Sequence, residues 1–196
     1  MRPRGLALDG DGHLLISDEL QHRIFRLHLA TARLTLVAGS GVPDFRDGFG
    51  DVACFSAPCG LALDTRGQIL VADARNNSVR RVTEARLLTE WCCALELFAR
   101  PMLRVLTRIV AEFVGLGVVT TVAGTGHPAF VDDCSAARAA FSGPCGVLAT
   151  QDDRIIVADT NNHRIRVIEP AATTSAATSE LDSAAANPVR DAASAS

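Results

Sequence analysis

The sequence predicts an all-β fold, an incomplete β-propeller, on three observations. First, one stretch occurs three times: residues 3–27 (PRGLALDGDGHLLISDELQHRIFRL), 58–82 (PCGLALDTRGQILVADARNNSVRRV) and 144–168 (PCGVLATQDDRIIVADTNNHRIRVI). Gly5, Gly60 and Gly146 stand at one constant interval from Asp18, Asp73 and Asp159, and a repeat held in register signals a repeat architecture. Second, the apolar residues of each copy form short β-rich runs broken by turn residues, with no helical period. Third, a fourth run follows elsewhere, residues 34–39 (LTLVAG) and 118–124 (VVTTVAG). Four short strands per repeat make a propeller blade, which must stack on neighbours to close a core.

In the middle copy the strands read Gly60-Leu61-Ala62-Leu63-Asp64, then Gln68-Ile69-Leu70-Val71-Ala72-Asp73 after a Thr-Arg-Gly turn, then Ser78-Val79-Arg80-Arg81-Val82. The third copy has no VAG strand, because Ile168-Glu169-Pro170 runs into a low-complexity tail. The expected organisation is therefore two full blades plus part of a third. Residues 1–84 hold the first blade and the start of the second, 85–116 an insertion, 117–170 the rest of the second and a partial third, and 171–196 the tail. The chain opens inside a blade and reads as a fragment or as a unit that completes itself by association. An open arc leaves edge strands that can template pairing with another chain.

These residues resemble the NHL-repeat propellers. The shared pattern is VAG-x-G, then F-x-x-P-x-G-L-A-x-D, then G-x-I-x-V-A-D-x-x-N-N-x-x-R. Asp159, the run from Asn161 to Arg166 and the VAG pieces fit it well; Gln21-His22-Arg23-Ile24 is a looser copy. The resemblance covers residues 3–170 apart from the insertion. It implies closure with about six blades, a number the residues themselves do not supply. Function does not follow, because one fold hosts many roles.

With 196 residues, 48% of them hydrophobic, the chain can bury a sizeable core. A net charge of −3 argues against a general binder of nucleic acid or anionic membrane. Every basic residue is arginine and tyrosine is absent, which GC-rich coding explains. Cys54, Cys59, Cys92, Cys93, Cys134 and Cys145 show neither CxxC pairs nor zinc spacing. They read as small buried thiols and lean towards a reducing, cytoplasmic setting, although no targeting signal fixes the localisation.

Asp18, Asp73 and Asp159 end the second strand of each copy, and Asn77 and Asn162 follow in the next turn. Asp accepts turn amides and Asn tolerates a left-handed backbone, so these five read as structural turn residues and not as a ring of catalytic or metal-binding carboxylates. Arg23, Arg26, Arg80, Arg81, Arg164 and Arg166 recur on the third strand. They form a candidate interaction surface for phosphate or acidic peptide, set against a plain solvated face with Asp partners. Asp44, Asp47 and Asp51 sit in a Gly/Asp loop that departs from EF-hand spacing. Phe55 and Phe141, each three residues before a repeat proline, read as core plugs.

Residues 85–116 break the pattern and hold the only tryptophan, Trp91. From Arg100 onward, the residues Arg100, Arg104, Arg108 and Glu112 recur every four positions opposite Leu103, Leu106, Ile109, Val110 and Phe113, an amphipathic helix too short and charged to span a bilayer. It reads as a helical hairpin capping a blade edge, as a helix for a partner or membrane surface, or as translated non-coding sequence. Residues 171–196, rich in Ala, Ser and Thr, are expected to be disordered.

The leading functional expectation is a non-catalytic module for protein–protein interaction, with no cofactor. The resemblance also implies a metal-dependent alternative akin to propeller lyases and lactonases. Of His13, His22, His28, His127 and His163, only His22 and His163 share a repeat slot, beside a turn, and no nucleophilic triad stands out. An RNA-binding propeller is a third reading, weakened by the net negative charge and the lack of interleaved aromatics.

Overall fold

A computed structural model describes residues 1–84, 117–133, 135–170 and 188–192. These residues form three antiparallel sheets side by side. The strands are β1 (Pro3–Leu8), β2 (Leu14–Asp18), β3 (Arg23–His28), β4 (Arg33–Ala38), β5 (Gly48–Phe49), β6 (Pro58–Leu63), β7 (Ile69–Asp73), β8 (Ser78–Thr83), β9 (Val118–Ala123), β10 (Pro144–Ala149), β11 (Ile155–Asp159), β12 (Arg164–Ile168) and β13 (Val189–Asp191). The sheet orders are β1-β2-β3-β4, β5-β9-β8-β7-β6 and β10-β11-β12-β13. Each is a blade whose innermost strand begins at a repeat proline, so the fold is a partial β-propeller.

Local chemistry sets each hairpin. At the β1–β2 turn, Asp9 Oδ1 accepts the amides of Asp11 (3.0 Å) and His13 (2.8 Å); Asp64 Oδ1 does the same for Arg66 (3.0 Å) and Gln68 (2.8 Å). In the third blade the Thr150 hydroxyl takes over and accepts the Arg154 amide at 3.1 Å. The left-handed residue these turns require is Gly12, Gly67 and Asp153 in turn. Each proline faces the Asp that ends the second strand, and the register shifts directly after it. Proline cannot donate to a ladder, so it belongs at a strand start or a bulge.

Two apolar cores lie between the blades. Leu15, Ile24 and Val37 of the first meet Leu61, Ile69, Val71 and Val82 of the second, with Ala53 and Phe55 from the connecting loop. Ala62, Leu70, Val79 and Ala123 of the second meet Ile155, Val157 and Ile168 of the third, with Ala139 and Phe141. β7 serves both because its side chains alternate between its two faces. Phe55 and Phe141 are fully buried, as their spacing from the repeat prolines anticipates.

The segment between β8 and β9 does not disturb their pairing: Thr83 faces Val118 and Val82 faces Val119. The helix expected over 85–116 lies outside the described residues, as do Cys92, Cys93 and Cys134. The structure differs from the sequence expectation at the third blade, whose missing outer strand is supplied by β13 from within the tail expected to be disordered. Ile168 pairs with Val189 and Arg166 with Asp191, and Val189 is buried. An unpaired β12 edge would leave backbone groups unsatisfied. Three residues placing Val189 inward cover that edge at residues 166–168.

Candidate functional site

The repeated polar residues were the candidates from sequence, and the structure turns most of them inward. Asp73 ends β7 with its carboxylate buried; it accepts the Ser56 amide (2.8 Å), Asn76 Nδ2 (2.7 Å) and Arg80 Nη1 (2.9 Å). Asp159 repeats the arrangement with Ser142 (2.7 Å), Asn162 (2.8 Å) and Arg166 (3.0 Å). Burial pushes the Asp73 carboxyl up to about 6 against the pull of Arg80, Asn76 and the Ser56 amide. In the first blade Phe25 stands where the others have arginine. Asp18 is satisfied by the amides of Arg2, Leu20 and Gln21. Burial pushes its carboxyl up, but these donors outweigh it and hold it below the ordinary value.

The turn roles are shared differently from the expectation. The left-handed residue is Asn77 in the second blade but His163 in the third and His22 in the first. Asn162 sits one position earlier, matching Asn76, and binds the aspartate. Two adjacent asparagines per repeat hide this one-residue offset.

Arg80 and Arg166 are 0% exposed and do not belong to an interaction surface. The Arg80 guanidinium donates to Asp73, to the carbonyls of Cys54 (3.2 Å) and Arg46 (2.8 Å), and to Asp47 Oδ1 (2.6 Å). It also lies 4.9 Å from the centroid of Phe45 and 5.4 Å from that of Phe55. Arg166 has Asp159, Asp132 (2.6 Å), the carbonyls of Ala140 (3.0 Å) and Val131 (2.8 Å), and the rings of Phe130 and Phe141. Charge pairing, carbonyl acceptance and aromatic faces together make burial of a guanidinium tolerable. The signal was present in sequence: each copy with this arginine also has the Phe-Ser segment and an upstream Phe-x-Asp or Phe-Val-Asp.

The other four arginines are scattered. Arg23 donates to the carbonyls of Gly39 (3.3 Å) and Ser40 (2.8 Å). Arg26 joins two blades by pairing with Asp9 (3.0 Å) and with Glu84. Arg81 lies 3.7 Å from Asp64, and Arg164 pairs with Asp191 at 2.5 Å. They do not make one basic patch.

Sequence reasoning missed one group, Asp9, Asp11 and His13, whose ligand atoms lie within 4.8 Å of one another. Asp9 is already engaged: its Oδ1 caps the hairpin, and its Oδ2 takes Arg26 Nε (3.0 Å) and His13 Nδ1 (3.2 Å). Burial raises the Asp9 carboxyl, but the His13 donors, Arg26 and the Asp11 amide hold it below its ordinary value. A guanidinium on the same oxygen opposes a cation, and Asp64 builds the same turn in the second blade with Arg66 and Gln68 in place of Asp11 and His13.

Arg4, Cys59 and Cys145 fill one slot on the three innermost strands. Cys54 and Cys59 are buried free thiols, whereas Cys145 is exposed, contrary to the expectation of uniformly buried cysteines. Burial, helped by the adjacent Cys145, pushes the Cys59 thiol up to about 11. Only thiolate alkylates. Iodoacetamide at pH 8 is therefore expected to label Cys145 well ahead of Cys54 and Cys59 in the folded chain, as read by peptide mapping. Equal labelling of the three would refute this packing.

A family profile described as the NHL repeat matches residues 141–168. Among curated proteins, the chain is 35% identical over 80 residues to Protein SUPPRESSOR OF QUENCHING 1, chloroplastic, of Arabidopsis thaliana, which covers 41% of this chain and 8% of that protein. Among solved structures it is similar to an auxiliary nutrient binding protein from Bacteroides thetaiotaomicron, with a TM-score of 0.58 and 23% identity over 83% of this chain and 36% of that one. A protein of unknown function from the same organism gives a TM-score of 0.57 and 17% identity over 84% and 34% of the two chains. The chain spans about a third of the length of these solved structures and under a tenth of the curated relative. At these identities the solved structures establish the fold.

Proposed function

Because this chain is a partial β-propeller in which residues 141–168 match the NHL repeat, we propose that it is a non-catalytic module that binds protein partners through its uncovered sheet faces. One observation carries this reading: a repeat position that is buried between blades is open at the end of the arc. Leu61 is 8% exposed against the first blade, whereas its counterpart Leu6 is 60% exposed. Leu8 on the same strand is also exposed, and Leu148 and Ile165 are exposed on the third blade. Apolar surface presented in this way favours association.

The alternatives draw less support. Among the described residues, the group a metal-dependent enzyme would draw on is Asp9, Asp11 and His13, and the Asp9 carboxylate already serves a turn and a guanidinium. RNA binding would call on the third-strand arginines, of which Arg80 and Arg166 face inward. Among the described residues no helix is long and apolar enough to cross a membrane.

The test compares the unmodified chain with a Leu6→Asp/Leu8→Asp variant in affinity capture read by quantitative mass spectrometry. Both side chains are largely exposed, so the variant is expected to keep its thermal midpoint while losing the proteins that the unmodified chain retains. Equal retention by both would overturn the reading, as would a stoichiometric divalent ion accompanied by turnover.

A further inference from the structure

The joint between one blade and the next occurs twice in this chain, and a third instance stands open. Between the first and second blades, the segment 50–58 crosses the edge of the first. Gly50 O accepts the Gly39 amide (2.6 Å) and Ala53 O accepts the Ser40 amide (2.8 Å). The Ala57 amide donates to Nδ1 of the left-handed His22 (3.1 Å). Ala53 and Phe55 share a core with Ile24, Val37 and Ala38. Between the second and third blades, the segment 136–144 does the same: Ala136 O accepts the Gly124 amide (3.0 Å) and the Gly143 amide donates to Asn77 Oδ1 (3.0 Å). Here Ala136, Ala139 and Phe141 share a core with Val79 and Ala123.

Among its described residues, the third blade presents the third-strand part of the same surface. Its left-handed residue is His163, whose ring has no hydrogen-bond partner among the described residues. Next to it is a groove of about 620 Å³ lined by Asn162, His163, Arg164, Ile165, Asp191 and Ala192. Ile24 and Val79 are fully buried, yet Ile165 in the same slot is 48% exposed. The inner strand offers a second, independent sign. A Cβ on Gly5 or Gly60 would meet the carbonyl oxygen of Cys59 or Cys145 on the next blade, whereas one on Gly146 would meet only the Ala158 side chain.

We infer that this groove is a docking site for an extended segment of another polypeptide with the sequence small-x-Phe-Ser-x-Pro, which is the chemistry that fills the two earlier joints. Phe supplies the apolar plug, and the amide preceding proline donates to His163. Within residues 1–196, Phe-Ser-x-Pro occurs at 55–58 and 141–144, both already seated in the two earlier joints. The inference rests on the interaction-module reading and names its ligand class at one end of the arc.

The experiment is an anisotropy titration of a fluorescein-labelled peptide copying residues 136–147, with serine at position 145, against the full chain. Saturable binding is expected. A Phe141→Ala version of the peptide should bind roughly tenfold or more weakly, the loss set by burying one aromatic side chain. An Ile165→Arg protein should show a similar loss with an unchanged thermal midpoint, because the residue is half exposed. The Leu6→Asp/Leu8→Asp protein, altered at the opposite end, should bind as the unmodified chain does. Absence of saturable binding, or equal binding by the Phe-free peptide or by Ile165→Arg, overturns the proposal. If the peptide fails while the Leu6/Leu8 contrast in partner retention holds, the groove assignment falls and the module reading stands.

Discussion

Arg80→Ala is expected to lower the unfolding free energy by about 3–5 kcal/mol, the range found when one partner of a buried pair is removed. The guanidinium is completely buried and holds two carboxylates and two carbonyls. Its removal strands Asp73 in a dry site and leaves the Cys54 and Arg46 carbonyls without this donor. The chain between Asp44 and Phe55 loses its tether as well, since Asp47 also accepts the Thr121 amide (2.9 Å) and hydroxyl (3.0 Å) and so ties that loop to β9. Arg80→Lys should not rescue, because an ammonium cannot reproduce a planar fork lying between Phe45 and Phe55. A pH series separates charge from simple cavity formation. Burial already raises the Asp73 carboxyl, and without Arg80 it rises further above the unfolded value of about 3.9. A carboxyl raised by folding contributes stability at low pH that is lost as pH climbs through its folded pKa. The variant should therefore be less destabilised at pH 5 than at pH 8, and Asp73→Asn in its background should remove that difference. Urea denaturation reads all of these. A loss below about 1 kcal/mol at pH 8 would show that the buried fork does not hold the blade together.

These residues also show where sequence reading stops. Strand positions follow from runs such as Ile69-Leu70-Val71-Ala72 between turn residues, because alternation and turn chemistry are local. The inter-blade plugs follow too, since Phe55 and Phe141 keep a fixed distance from the prolines. Burial of Arg80 and Arg166 is not legible locally, because charged strand residues are normally solvated and the accompanying signal, a Phe-x-Asp run, lies far along the chain: Asp47 for Arg80, Asp132 for Arg166. β13 was equally hidden. Val189 carries no period in an Ala/Ser-rich stretch, and only the unfilled edge of β12 gives it a role. The Asp9 group was passed over because DGDGH reads as an ordinary hairpin turn, and that is the work it does.

Gly60→Val is expected to cost about 1–3 kcal/mol or more, the range for forcing extra atoms into a packed interior. The matched change Gly146→Val should cost much less, although both glycines occupy one position of the repeat. At Gly60 an added Cβ would stand 2.5 Å from the Cys145 carbonyl oxygen and 3.0 Å from the Gly146 Cα, backbone atoms that cannot rotate away. At Gly146 the nearest atom is the Ala158 Cβ at 3.3 Å, a contact relieved by a small shift. Neither glycine has a left-handed backbone, so conformational strain does not enter and the comparison isolates close approach between inner strands. The Gly60 variant should also expose Cys59, because parting β6 from β10 admits solvent to the thiol and brings it down from about 11. Faster alkylation of Cys59 at pH 8 is the local readout, and the shift in urea midpoint is the global one. Equal costs at the two glycines would mean that the second and third blades do not meet through their inner strands, and the joint from which the open groove is inferred would lose its template.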